Sequence, residues 1–521
     1  MVQLINSAAT ANRNFAARSL DPAQRRDLAV QVVAGNESVS RTARDHRVSR
    51  KFVAAQTDKV QSALDREFAS PKPEHGDKVL FMLPVTRKWI EQVVLALLLI
   101  NHSSLRGVAE FFRDLIDYSI AHTTVRNIFQ KAVGAARAID ARVDLKAVRI
   151  GAHDEIFQGD QPVLVGADVD STYCYLLAHT KHRDAKTWAL HLSPLEERGF
   201  APQATVADFG TGLRAGQKRA FPDLPCRGDL FHAIKSLGDV ARTLDRRAYQ
   251  KMEFHLDLQV EQAKHVRRYD RKDPKLAESM ARAENDERTA VSLADDVRLL
   301  IDWLRGDIWS VAGPTYAQRC ELYDFVLVEL RERIAAAGIP LRKVCTTLGN
   351  HRDELLAFAQ ELDVALAALD AKFEVKPGLA REILQHDDDD PNRPEYWKTD
   401  ADLHRQSRGQ LYEMRAELRE LRPRTVRASS VVENLNSRLR GYFFLRRKVG
   451  GEYLDGLRFF LNHRRFLRSE RPERTGKSPR ELLTGETHPH WLELLGYRRF
   501  QQNGCLATAR NTTLLAPPAS P

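Results

Sequence analysis

The hydrophobic periodicity of this 521-residue chain changes near Ala147, and that change constrains the fold more than any other feature. Apolar residues recur at helical spacing before this point. Beyond it they alternate in short segments bounded by turn residues, at 148–157, 162–168, 172–178, 204–208 and 224–229. Alternation with a period of two is typical of β-strands. The region therefore predicts three consecutive strands, a helix, a fourth strand, a second helix and a fifth strand.

A long helical segment follows the predicted strands. From about Ala241 to Pro423 the pattern is almost purely helical and highly charged. This stretch is too long for a loop, so it predicts an all-α insertion. The preceding strands and helices occur in the order of the ribonuclease H fold. We expect an α/β ribonuclease H-like core with a mixed five-stranded sheet, interrupted by the all-α insertion.

Two helical units precede the sheet. In the first, a short helix over 37–46, a turn and a helix opened by Ser49 have helix-turn-helix spacing, and the last helix of such a unit can enter a DNA major groove. A plain three-helix bundle is the alternative. The second unit repeats this arrangement with a more apolar composition, which favours packing over DNA contact. The candidate DNA contacts of the first unit are Arg44, Arg50 and Lys51.

These patterns divide the chain into six predicted segments. They are an N-terminal helix-turn-helix domain over 1–70, a second helical, helix-turn-helix-like domain over 77–142, the first part of the core over 143–240, the all-α insertion over 241–423, the last part of the core over 424–485 and a C-terminal tail over 486–521.

Positive charge is concentrated in one part of the chain. Residues 424–480 contain 15 Lys and Arg against 5 Asp and Glu, a net charge of +10 that equals the excess of the whole chain. A basic segment with interspersed aromatic residues is typical of a surface that binds a polyanion, although a solvated charged face is the alternative. The candidate DNA contacts here are Arg438, Arg440, Arg446, Arg447 and Lys448.

Composition also excludes some classes of protein. The longest apolar run, Val93–Ile100, is too short to span a bilayer, and the first residues lack a signal pattern. The five cysteines are scattered and never in C-x-x-C spacing, which argues for a reducing compartment and against a structural zinc site. We expect a cytoplasmic protein without a membrane partner.

Three acidic residues stand out by their positions. Asp154 lies within the first strand, Asp208 ends the fourth strand beside a glycine-rich turn, and Glu433 lies on the helix after the insertion. Carboxylates that meet at one point repel each other unless divalent cations neutralise them. Oxygen ligands favour Mg²⁺ or Mn²⁺, and two such ions assist phosphodiester cleavage. The three acids therefore predict a site for two of these ions.

Two of these assignments have alternatives. Asp168 and Asp170 compete with Asp154 for the first position, but only a first strand over 148–157 provides all three strands before the helix. Ser430 and Glu433 also fit a capping box, in which Glu433 merely closes the start of its helix.

The segments around these acids resemble DDE transposases with a ribonuclease H-like core and a helical insertion, of the Mutator-like and hAT-like type. The segments that carry the resemblance are Ala207–Pro222 for the second Asp, Asp229-Leu-Phe-His232 for a (C/D)-x-x-H motif, Ser429–Asn434 for the last acid, and Asn462–Arg464 with Gly476–Pro479, which resemble the end of bacterial insertion-sequence transposases.

The resemblance implies DNA cleavage and strand transfer at transposon ends, in a bacterial cytosol or nucleoid. Asp154, Asp208 and Glu433 would bind the metals, and His232 would lie near the scissile phosphate; packing at a helix start is the alternative for His232. The implied partners are double-stranded DNA, as terminal repeats and target, and a homodimer or larger synaptic assembly. A catalytically inactive DNA-binding regulator and a structure-specific nuclease are alternative functions.

Overall fold

The structure, a computed structural model, describes residues 17, 19–68, 83–336, 342–427, 429–445 and 450–499. The chain forms two compact units, residues 1–84 and residues 85–521. Among the described helices, none combines the length and the apolar character that crossing a membrane requires.

The N-terminal unit contains three helices, α1 (Pro22–Val33), α2 (Val39–Asp45) and α3 (Arg50–Phe68). Helix α1 begins with a capping box between Asp21 and Gln24, and Ser38 caps α2. The core is small and consists of Leu28, Ala29, Ala43, Val48 and Val53. The three predicted DNA contacts of this unit, Arg44, Arg50 and Lys51, are all exposed.

The second unit begins with helices α4 (Arg87–Leu99), α5 (Leu105–Ile116) and α6 (His122–Asp140), followed by the sheet. The strands are β1 (Ile150–Gln158), β2 (Gln161–Asp168), β3 (Cys174–His179), β4 (Ala204–Ala207) and β5 (Cys226–Gly228), in the order β3-β2-β1-β4-β5. Strands β1, β2 and β3 pair antiparallel, whereas β4 is parallel to β1 and β5 is parallel to β4. The predicted mixed five-stranded sheet is confirmed.

Helices cover both faces of the sheet. Helix α7 (Ala185–Leu192), continued by a 3-10 turn over Ser193–Arg198, and α8 (Thr211–Ala220) pack on one face. On the other face α4 to α6 share a hydrophobic cluster with α17 (Ser430–Phe444) and α18 (Gly451–His463). Ile150, Ala152 and Ile156 of β1 belong to this second cluster. Because side chains alternate along a strand, Asp154 points toward the same face, where α17 packs against β1.

The insertion consists of helices and contains two hydrophobic clusters. Its helices are α9 (Leu230–Tyr269), α10 (Pro274–Trp303) with a π-helical end over Leu304–Ile308, α11 (Tyr316–Ala336), α12 (Arg342–Asn350), α13 (Arg352–Lys372), α14 (Leu379–His386), α15 (Pro394–Gln406) and α16 (Leu411–Arg424).

The two ends of the insertion are held together at the sheet. The backbone N–H of Leu230 donates to the carbonyl of Arg427 at 3.2 Å. Next to this bond, the carboxylate of Asp229 accepts hydrogen bonds from the backbone N–H and the hydroxyl of Ser429. These bonds place the start of α17 beside the start of α9, although nearly 200 residues separate them in sequence.

The segment after α17 closes the fold. Asn462 on α18 accepts from the N–H of Cys174 at 2.8 Å and donates to its carbonyl at 2.9 Å. Its amide therefore pairs with backbone groups of the edge strand β3. Ser478 begins α19 (Pro479–Thr484) with a capping box to Glu481, and α20 (Trp491–Leu494) follows. Asn462 and Ser478, which carried part of the resemblance, therefore have structural contacts.

Candidate metal centre

Asp154 lies on the central strand, β1. Its side chain is only 5% exposed. Oδ1 accepts from the backbone N–H of Glu155 at 2.7 Å, and Oδ2 accepts from the side-chain amide of Asn436 on α17 at 2.6 Å. The carboxylate is therefore fixed between β1 and α17.

His232 lies in the first turn of α9 and is oriented by Asp229. Asp229 is the N-cap of this helix and accepts from the backbone N–H of Phe231 at 2.9 Å. Its second oxygen lies 2.7 Å from Nδ1 of His232. The fully buried Asp229 also binds Ser429, so one carboxylate positions both His232 and the start of α17.

Glu433 lies in the first turn of α17, where a capping box was the alternative. The structure contradicts the capping box: the helix is capped by Ser429 without a side-chain hydrogen bond. The hydroxyl of Ser429 instead donates to Asp229. Glu433 instead has Oε1 at 3.7 Å from Nε2 of His232 and Oε2 at 3.6 Å from Nη2 of Arg440.

Asp154, His232 and Glu433 converge on one point. Each offers one ligand atom, and the three atoms all lie within 4.8 Å of one another. The residues come from a strand, from the helix that begins the insertion and from the helix that follows it. The fold thus brings together three side chains that are far apart in the sequence.

Asp208 follows β4 at the same edge of the sheet but is not a member of this closest group. Its Oδ1 accepts from the backbone N–H of Gly210 at 2.9 Å. A Cβ on Gly210 would lie 2.8 Å from the same oxygen, so only glycine allows this turn without displacing the carboxylate. Asp208 nevertheless lies close enough for its charge to shift the pKa values of Asp154 and His232.

The electrostatics of the centre favour a cation. The pKa of Asp154 is raised from 3.8 to about 7. Burial is the main cause; the N–H of Glu155 and the charge of His232 oppose the rise, and the charges of Asp208 and Glu433 contribute to it. Burial lowers the pKa of His232, but the hydrogen bond and charge of Asp229, followed by the charges of Asp154 and Asp208, outweigh it and give a net rise. For Asp229, burial raises the pKa, but the hydrogen bonds from His232 and Ser429 outweigh this effect and the net pKa is lowered.

Asp168, the competitor of Asp154, has a structural environment. Its Oδ2 accepts from the backbone N–H of Ser171 at 2.7 Å and from the Ser171 hydroxyl at 2.5 Å. Asp170 pairs with Arg149 at 3.0 Å. Both carboxylates therefore stabilise the turn between β2 and β3.

The predicted basic residues have different environments. Arg440 is exposed and faces Glu433, whereas Arg438 is half-buried. Arg446, Arg447 and Lys448 lie outside the described residues.

Sequence reasoning missed Asn436 and the contacts of Asp229. Asn436 follows Glu433 by three residues, so both lie on one side of α17. That spacing is the sequence signal that could have placed Asn436 at the site. Asp229 was part of the recognised motif, but its bonds to Ser429 depend on the closure of the insertion.

The donor set fits a divalent cation. Asp154 and Glu433 supply two carboxylates within 4.8 Å, and Asp208 adds negative charge nearby. A buried carboxyl with a raised pKa is a group whose charged form a bound cation would stabilise.

Comparison with known proteins gives little further guidance. No protein-family model matches the sequence, and a search of curated proteins finds no match. Among solved structures, the chain is similar to one in the Drosophila P element transposase strand transfer complex, with 12% sequence identity, coverage of 78% of this chain and 98% of that chain, and a TM-score of 0.25. At this TM-score the similarity does not define the fold of the chain.

Proposed function

We propose that the chain is a DDE-type DNA transposase with a ribonuclease H-like core. The observation that carries the proposal is the convergence of Asp154, Glu433 and His232, with Asp208 at the same edge of a mixed sheet. Three acids from a central strand, its parallel neighbour and a following helix are the arrangement that the sequence resemblance implies. The strand order β3-β2-β1-β4-β5 and the helical insertion support the same assignment.

Asp154, Asp208 and Glu433 would hold Mg²⁺ or Mn²⁺, two ions in the complete site. Bound there, the ions would activate the attacking oxygen and stabilise the leaving oxygen of a phosphodiester. Asn436 and the N–H of Glu155 orient Asp154 for this role. Asp229 fixes Nδ1 of His232, so Nε2 is the ring nitrogen that faces Glu433 and would face the substrate phosphate.

Exposed basic residues would contact the DNA. The exposed Arg44, Arg50 and Lys51 of the three-helix N-terminal unit would recognise the terminal repeats. Arg440, exposed beside Glu433, would contact the strand being cut. Joining two transposon ends to one target requires a dimer or a larger assembly.

The test is metal-dependent cleavage of the DNA that flanks the gene, which should contain the inverted repeats. The purified chain should cut at the repeat ends with Mg²⁺ or Mn²⁺, join the cut end to a target duplex, and be inactive in EDTA. Cleavage that persists after exhaustive chelation would contradict the mechanism. Cleavage without joining would identify a structure-specific nuclease instead.

A further inference from the structure

A basic cavity of about 540 Å³ lies beside α17, outside the group formed by Asp154, His232 and Glu433. It is bounded by the first half of α17, the turn between β2 and β3, and the segment 466–474. We call it the arginine cavity after the four arginines that line it, Arg438, Arg468, Arg471 and Arg474. Glu470 is the acidic residue in its lining, so the cavity has a net positive charge.

Among the described residues, none of these four arginines has an ion-pair partner, and Arg474 donates to the backbone carbonyls of Val169 and Asp170. Within the same ranges, Nε of Arg438 is buried without a hydrogen-bond partner. Burial lowers the pKa of Arg438. A buried guanidinium N–H without an acceptor is costly unless a ligand satisfies it.

The turn that faces these arginines is strained and also offers an unused donor. Thr172 has a φ of +65°, a conformation that β-branched residues rarely adopt. Its hydroxyl is buried and has no partner among the described residues. The turn is held by Asp168 through Ser171 and by Nη2 of Arg474, which donates to the carbonyl of Asp170 at 2.7 Å.

These features match a phosphate group. Guanidinium groups and a hydroxyl supply the charge and the donors that phosphate oxygens accept. The nearby charges also repel one another, since Arg471 contributes to a lowered pKa of Arg474 after the larger effect of burial. An anion in the cavity would relieve this repulsion.

The position relative to the metal centre indicates the source of the phosphate. Ser430, Asn434 and Arg438 line the cavity and are rotated from Glu433 around α17 by about 60° to 140°, at about 100° per residue. A second cavity, of about 380 Å³, shares Ser430 and Arg471 with the first and extends to Phe231, the neighbour of His232. The two cavities therefore share lining residues beside the helix turns that carry His232 and Glu433.

We propose that the arginine cavity binds a backbone phosphate of the same DNA whose scissile phosphodiester lies at the metal centre. This inference rests on the proposed function and adds a positioning site to it. The cavity would fix the position of the DNA strand along α17, so that a neighbouring phosphate lies beside Glu433 and Asp154.

The test measures the salt dependence of DNA binding in EDTA, where no cleavage occurs. The full chain is titrated with a short duplex of arbitrary sequence at several salt concentrations. Arg438→Gln combined with Arg471→Gln should make the slope of log K against log salt shallower by about 0.9, the effect of one lost phosphate contact. The control, Arg288→Gln, changes an exposed arginine of α10 and should leave the slope unchanged.

A second variant keeps the inference testable if the double variant does not fold. Glycine adopts positive φ readily, so Thr172→Gly should fold while removing the unpaired hydroxyl. It should bind the duplex about tenfold more weakly at every salt concentration, because a hydrogen bond to a charged group is lost.

Inorganic phosphate distinguishes the two sources of the anion. If phosphate stabilises the wild type against heat but not the double variant, while both have the same DNA slope, the cavity binds a free anion and the DNA assignment is wrong. An unchanged slope without a phosphate effect would overturn the site altogether. Because all these readouts are taken without divalent ions, a failure of metal-dependent cleavage would bear on the proposed function alone.

Discussion

The side-chain amide of Asn436 donates a 2.6 Å hydrogen bond to Oδ2 of Asp154 and so joins α17 to the central strand. Both side chains are buried, at 1% and 5% exposure. Because Glu433 lies one turn earlier on the same helix, this bond fixes the distance between two of the acids. Helix α17 therefore both supplies one carboxylate and orients another.

Asn436→Ala should weaken Mn²⁺ binding by about tenfold or more, the usual effect of removing a partner that orients a metal ligand. Calorimetric titration of the folded protein with Mn²⁺ measures this directly. The matched control is Ser437→Ala, which changes an exposed residue of the same helix and should bind like the wild type. Equal affinities in Asn436→Ala and the wild type would assign the amide a purely structural role.

Asp229→Asn should lower the pKa of His232. The hydrogen bond and the negative charge of Asp229 are the largest causes that raise this pKa against the effect of burial. A neutral amide removes the charge and leaves burial dominant. An NMR titration of the imidazole protons follows the shift, and a pKa equal to that of the wild type would show that Asp229 does not control the protonation of His232.

The pH dependence of stability should depend on Asp154 when metals are removed. Its pKa rises from 3.8 to about 7 on folding, so the folded chain holds this proton more tightly than the unfolded chain. The contribution to stability is complete below about pH 4 and is lost as the pH rises through 7. In EDTA, Asp154→Asn should therefore exceed the wild type by about 2 to 4 kcal/mol in unfolding free energy above pH 7. Denaturant unfolding across the pH range checks this, and parallel profiles for the two proteins would contradict it.

Gly210→Ala tests the position of Asp208. The added Cβ would meet Oδ1 of Asp208 at 2.8 Å, so the carboxylate must move. We expect a folded protein with reduced metal-dependent cleavage. The control is Gly238→Ala in the interior of α9, where the new Cβ comes no closer than 3.5 Å to a flexible arginine. That variant should gain about 0.5 to 1 kcal/mol of stability and cleave normally; equal cleavage by both variants would remove Asp208 from the site.

The sheet could be predicted from the sequence because its signal is local. Residues 148–157 alternate in hydrophobicity, and the strand found there covers Ile150–Gln158. With that segment as the first strand, Asp154 is the acid at the first position, Asp168 ends the second strand and Asp170 is a turn residue. The contacts of Asp168 with Ser171 agree with this choice.

The contacts across the insertion could not be predicted in the same way. Ser430 and Glu433 satisfy the local pattern of a capping box, but the hydroxyl of the preceding Ser429 donates to Asp229, some 200 residues away in sequence. In the sequence Asn436 is an ordinary polar residue of its helix, and its role depends on the packing of β1 against that helix. The unpaired hydroxyl of Thr172 depends on a backbone conformation that no periodicity reports.

Strand cleavage by Glu433→Gln tests the central claim most directly. Glu433 makes no capping bond, and its contacts with His232 and Arg440 are longer than 3.5 Å, so the amide should cost little stability. It cannot supply the negative charge that a divalent cation requires. We predict that Glu433→Gln melts close to the wild type and binds DNA, but neither cleaves nor joins it with Mg²⁺ or Mn²⁺. Cleavage at the wild-type rate by this variant would contradict the metal centre formed by Asp154, Asp208 and Glu433.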